Sequence, residues 1–174
     1  LGGGVKLPTG NYKVTDEFHK LDKEKKDYTL VKPVDQSIQL GDGGVGVSIE
    51  TQGYAELFSK LTAYFNAFYL SNPRETNGVV RSPESTTVDP LIKEFSVADQ
   101  FAARVGLNYS LGKGLSVMGG GRVEGVPSSD LIGGDKGFRR PGYIVSVEPG
   151  IAYMNAKTSV MVNVPVAVYR NRTK

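Results

Sequence analysis

The feature that most constrains this 174-residue chain is the rhythm of its connectors: long polar segment, tight turn, long segment, tight turn, long segment, tight turn. Between them lie amphipathic stretches of roughly ten to fourteen residues, close to the length at which a tilted β-strand crosses a bilayer. Long loops at one end and tight turns at the other describe an antiparallel meander, the pattern that transmembrane β-barrels use.

The predicted strands are a stub at 3–7, closed by Pro8-Thr9-Gly10, then 44–57, 62–71, 97–111, 115–125, 143–154 and 159–170. Turns are read at Ser59-Lys60, Gly112-Lys113-Gly114 and Asn155-Ala156-Lys157, the middle one a strong hairpin signal. Long outer loops are read at about 8–43, 73–96 and 126–142, the first as largely mobile loop.

Hydrophobicity alternates with period 2, as strands and not helices require. Val45, Val47, Ile49, Thr51, Ala55 and Leu57 share one face, against Ser48, Glu50, Gln52, Tyr54 and Glu56. Phe101, Ala103, Val105, Leu107, Tyr109 and Leu111 oppose Gln100, Arg104, Asn108 and Ser110, and Val160 to Val168 alternate against Ser159 and Asn163. The segment from Thr62 is weaker, because Phe65 and Phe68 fall on opposite faces. Pro149 and Pro165 interrupt predicted strands, where proline removes a ladder donor and marks a bulge or a rim. Gly119, Gly121 and Gly125 put bare backbone on the apolar face.

Composition narrows the class. The length suits one domain, 1–174, and 22 glycines, nine tyrosines and no cysteine fit a turn-rich all-β chain without disulfides or thiolate metal sites. A mean hydropathy of -0.24 and the lack of an apolar run near 18 residues exclude a transmembrane helix. They leave a membrane barrel open, since only alternate residues of a barrel strand face lipid. The net charge of +3 does not point to nucleic acid, because the charges are mixed within loops such as the run from Asp16 to Asp27. The chain starts at Leu1 without a signal peptide and ends in a charged tail, and is read as a barrel incomplete at both ends.

Alternation alone fits both a soluble sandwich, which buries its apolar face, and a barrel, which shows that face to lipid. Two patterns favour the barrel. After the stub every Lys falls in a predicted loop, turn or tail, whereas the polar faces carry Glu50, Glu56, Arg104, Arg122, Glu124 and Glu148. Compact Arg/Glu pairs suit a narrow lumen. Tyr143 and Tyr153 also share an apolar face ten positions apart, roughly 25 Å along the normal at about 3.3 Å per residue and a tilt near 40°. Phe101 and Tyr109 repeat the spacing more closely, as a membrane girdle would; ordinary β-propensity of aromatics is the plainer explanation.

Other motifs carry less. Gly41-Asp42-Gly43-Gly44-Val45-Gly46 precedes a strand and does not join strand to helix, so it is a turn and not a dinucleotide loop. His19 is the only histidine, in a charged loop, and no serine sits in an elbow motif, so no catalytic residue, cofactor or metal site is expected. The lumen set has two readings, a charge ring that selects solutes or an ion-pair network that plugs the barrel and fixes register. Phe138, Arg139 and Arg140 are read as a loop constriction, an anionic-lipid contact, or a solvated loop.

Val5-Lys6-Leu7-Pro8-Thr9-Gly10, a strand ending in Lys-x-Pro-Thr-Gly before a long loop, resembles a signature of the meta-pathway phenol-degradation family of outer-membrane proteins. The stretches from Val34 to Gly44, Arg122 to Pro127 and Gly137 to Gly142 look like a related branch of bacterial barrels. The resemblance implies an outer-membrane barrel taking up small, often hydrophobic, molecules, and supplies no catalytic residues. The expectation is therefore an all-β, antiparallel up-and-down transmembrane barrel in a bacterial outer membrane, not an enzyme. Its partners would be outer-membrane lipid and a small solute. A non-conducting structural or adhesion barrel and a soluble sandwich or lipocalin-like binder are the alternatives.

Overall fold

Three tight hairpins organise the chain. The computed structural model describes residues 1–83 and 85–172; Glu84, and Thr173 and Lys174 of the charged tail, lie outside the described residues. Its main sheet is antiparallel and meandering. It runs β1 (Gly2–Lys6), β4 (Gly46–Phe58), β5 (Leu61–Ser71), β8 (Gln100–Gly112), β9 (Leu115–Val126), β10 (Gly142–Val147) and β13 (Val166–Arg172). β11 (Gly150–Met154) continues β10 against β9 without a change of register, from Val147↔Gly121 to Gly150↔Met118, and β12 (Ser159–Asn163) lies beside β11. No α-helix occurs among the described residues, only two short 3-10 turns at Gln36–Ile38 and Pro90–Ile92. The sheet does not close: β1 and β13 occupy its two ends and do not pair.

Local chemistry explains the turns. Gly112, Lys113 and Gly114 all have positive φ, 90°, 51° and 82°, a geometry glycine adopts at little cost. At the last hairpin Asn155 Oδ1 accepts from the backbone N–H groups of Lys157 (2.9 Å) and Thr158 (2.8 Å), closing the chain on itself. Register shifts next to Leu57 and Leu111 sharpen the twist at the first two turns.

The prolines divide the two final strands. Pro149 still accepts from the Val164 N–H at 3.0 Å, while Pro165 follows immediately, so both interruptions fall at one level. Alternation turns the position of the missing Pro165 N–H toward the unpaired outer edge, where no ladder bond is lost. A bulge between Val145 and Ser146 of β10, opposite Val168, then exchanges faces: Val160, Val162, Val164 and Val166 share a face that Tyr169, and not Val168, continues.

Two boundaries and two loops differ from the sequence reading. The strands predicted from 44 and 97 begin at Gly46 and Gln100. Gly43 has a φ of 78°, and Val97 and Asp99 are buried among the loops instead of lying in the sheet. Segment 8–43, read as mobile loop, holds a hairpin of β2 (Thr15–Leu21) and β3 (Asp27–Pro33), registered from Thr15↔Pro33 to Leu21↔Asp27. Phe18 faces Leu30 across it, Lys32 Nζ lies 4.6 Å from the Phe18 ring, and Asp22 Oδ1 accepts from Glu24 and Lys26 at the turn. Lys20 and Lys32 therefore lie on strands, but outside the main sheet. Segment 73–96 likewise contains β6 (Thr76–Val80) and β7 (Glu94–Ser96).

The buried apolar residues, Leu70, Val79, Phe95 and Val97, all sit at the loop end. Neither face of the sheet carries a hydrophobic core.

Candidate functional site

The polar faces of the strands form the inside of a curl. One hollow of about 800 Å³ is lined by Glu50, Gln52 and Tyr54 of β4, Asn66 of β5, Arg104 of β8 and Met161 of β12. Only a strongly bent sheet brings its first long strand and its last around one space. Glycine permits the bend: the Tyr64 hydroxyl lies where a Cβ on Gly106 or Gly120 would stand, 2.4 and 2.9 Å away. Tyr64 can thus lie flat across β8 and β9.

Cross-strand register assembles the charges. Arg104 and Arg122 face each other, flanked by Asn66 and Ser146 in the same row. Glu148, only 2 % exposed, approaches Arg104 at 3.0 Å and Arg122 at 3.6 Å, and Arg122 also bonds Glu124. Arg104 further stacks over the Tyr64 ring at 5.6 Å. Two arginines and two glutamates therefore balance across β8, β9 and the residue that follows β10. Glu50 stands beside this group, accepting from Asn66 Nδ2 at 3.0 Å, whereas Glu56 lies nearer the turns, exposed and outside the network.

The convex face is apolar and uncovered. Ile49, Val105 and Val162 are 61 %, 62 % and 51 % exposed, where full burial of such a side chain is worth about 1.5–3 kcal/mol. A continuous patch of this kind is rare on a soluble monomer. Phe101, Tyr109, Tyr143 and Tyr153 all lie on it. Phe101 and Tyr143 pair with Gly125 from either side, and a Cβ there would collide with Gly142 O and meet Tyr143 Cβ at 2.8 Å, so this glycine lets the start of β10 approach β9 closely. Tyr169 joins Tyr143 at 5.9 Å between ring centroids. A Cβ on Gly119 would meet open space, and the structure offers no packing reason for it or for Gly121.

A third feature escaped the sequence reading. The three long loops meet at one end in a buried polar cap. The Asp99 carboxylate, fully buried, accepts from Tyr69 Oη (2.7 Å), Asn72 N–H (2.6 Å) and Leu131 N–H (2.9 Å). The Asp99 N–H donates to Asp130 Oδ1 at 2.9 Å, and Asp130 takes a two-pronged grip from Arg139 at 2.7 and 2.9 Å. Asn72 binds Ala98 O at 2.8 Å and accepts from Lys6, which also pairs with Asp42 at 2.5 Å. The only available signal was Asp99 itself, an acid between Val97-Ala98 and Phe101 in a segment otherwise read as strand.

This cap takes up the Phe138-Arg139-Arg140 motif. Arg139 is nearly buried in its pair with Asp130, and Phe138 packs edge-on against Phe95 at 6.3 Å beneath the Arg81 guanidinium at 3.9 Å. Arg140 alone points to solvent, paired with Asp35 at 3.0 Å. Asp35 caps the first 3-10 turn by accepting from Ser37. Those Ser37 hydrogen bonds, helped by Arg140, hold its carboxyl below the ordinary aspartate value. His19 is exposed on β2, 3.6 Å from Asp27. No group of three or more His, Cys, Asp or Glu side chains among the described residues is arranged to hold a metal.

Comparison with protein-family models, with curated proteins and with solved structures returned no match to this chain.

Proposed function

We propose that this chain forms the wall of a bacterial outer-membrane β-barrel that passes small molecules without chemistry. The observation that carries the reading is the inversion of its faces: charges and amides line the concave side while valines, leucines and aromatics cover the convex side. A soluble sandwich or lipocalin-like binder needs the opposite arrangement. Strands of 11 to 13 residues in β4, β5, β8 and β9 reach across an apolar bilayer core. The unpaired outer edges are completed in the membrane by further strands, because lipid leaves no backbone group unsatisfied. The outer loops admit solute, and the Arg104, Arg122 and Glu148 belt sets its charge preference. The resemblance of the Lys6 to Gly10 segment points the same way.

Two observations favour a second reading. The belt is charge-balanced and the loop cap is tightly bonded, as suits a closed, structural barrel.

The protein, extracted from outer membranes in detergent, tests both. Faster migration of the unboiled form on a denaturing gel, with stepwise conductance in planar bilayers, is the expected result. Faster migration without conductance selects the structural barrel. Identical migration, with the protein soluble in the absence of detergent, overturns the membrane reading.

A further inference from the structure

The concave face is not uniformly polar. Between the charged belt and the loop cap, Phe68 and Ala102 are register neighbours and Ile144 follows on the far side of Glu124, with Val126 above them. They line a hollow of about 640 Å³ whose upper margin carries Arg140 and Arg172. A second cavity of about 290 Å³ inside the cap shares Gln100, Val126 and Arg140 with it, so the two adjoin.

The charges at this place do not cancel. Glu124 stands within the strip, between Ala102 and Ile144, but its carboxylate is turned to the belt and taken by Arg122. Arg140 has an exposed partner in Asp35, while Arg172 makes no ion pair among the described residues. An apolar strip beneath an excess of guanidinium fits a molecule with an apolar body and one negative end.

We propose that this upper hollow is a binding station for small amphipathic carboxylates, the body lying on Phe68, Ala102 and Ile144 and the carboxylate reaching Arg172 and Arg140. The proposal rests on the transport reading for its role and names the solute class. A solute held there sits between the loop cavity and the charged belt, on the path from one to the other.

Fluorine NMR of the detergent-solubilised protein tests it, with para-fluorobenzoate as probe and para-fluorobenzyl alcohol as its neutral counterpart. Saturable broadening is expected for the acid, weaker for the alcohol. Arg172→Gln should weaken the acid's binding by about fivefold, the effect of one solvent-exposed ion pair, and Arg172→Lys should restore most of it. Arg140→Gln provides an independent second variant, and an unchanged native gel shift verifies folding in each. Equal, unsaturable broadening of both probes in the parent protein and the variants is partition into detergent and overturns the station. Displacement by inorganic phosphate as readily as by unlabelled benzoate shows an anion site without an apolar component and overturns the carboxylate assignment. Planar-bilayer conductance separates the two levels. Saturable binding in a protein that passes no current keeps the station and sinks the channel; current without saturable binding does the reverse.

Discussion

Asp99 carries more of the structure than its place in the sequence announces. Its carboxylate meets three donors from two loops and a strand end, and its own N–H donates to Asp130, in the same loop as Leu131. Asp99→Asn keeps the size but presents an amide N–H₂ to groups that need an acceptor. It should cost on the order of 3 kcal/mol in cap stability, read as faster amide exchange at 72–99 and 130–139 with the sheet protected as before. Asp35 behaves differently because it is exposed. Its folded-state pKa is depressed, so its contribution is present above the unfolded aspartate value of 3.8 and is lost as pH falls through the lower folded value. The Ser37 amide should therefore stay protected at pH near 4 and lose protection only in stronger acid, as exchange followed across that range will show. Both residues were hard to find by reading. An acid's partners in a cap come from loops distant in sequence, and periodicity, which exposed Glu50 and Arg104, is silent where there is no strand.

At the scale of elements, the strands were legible because each obeys two local rules at once, alternation along its length and turn chemistry at its end. Gly112-Lys113-Gly114 illustrates the second rule. Gly114 has a φ of 82°, and a Cβ on it would lie 2.1 Å from Met154 O of the neighbouring hairpin. Gly114→Ala should destabilise the sheet by about 1–3 kcal/mol, measured as a lower midpoint in denaturant, whereas Lys113→Gly relieves a strained position and should not. The β2–β3 hairpin was missed because its run from Asp16 to Asp27 is dominated by charge, which hides the Phe18–Leu30 pair that sets its register. Pro149 and Pro165 stood out as interruptions, but 143–154 and 159–170 were each read as one strand, where the structure has two. The exchange of faces at Val168 was not legible either, since a bulge is set by the partner strand and leaves no mark in an unbroken row of alternate valines.

For the whole molecule, the polar side of every long strand turns inward, and the Arg104, Arg122 and Glu148 belt ties the third, fourth and fifth long strands together. Glu148→Gln removes the buried carboxylate between two arginines. It should cost about 3–5 kcal/mol and, in a conducting barrel, shift the reversal potential under a salt gradient toward anions. Which face turns in was the one fold-level question alternation left open, because the same period serves a sandwich and a barrel; in this open sheet the polar faces line one hollow. The most direct test uses the absence of cysteine, which lets single thiols be introduced against an empty background. Cysteines at Val105, Val147 and Val162 on the convex face, and at Gln52, Asn66 and Asn108 on the concave face, would be challenged in proteoliposomes with a membrane-impermeant maleimide. Labelling of the concave set with protection of the convex set is the expected result. Equal labelling of both sets, or protection of the concave one, contradicts a wall whose apolar side faces lipid.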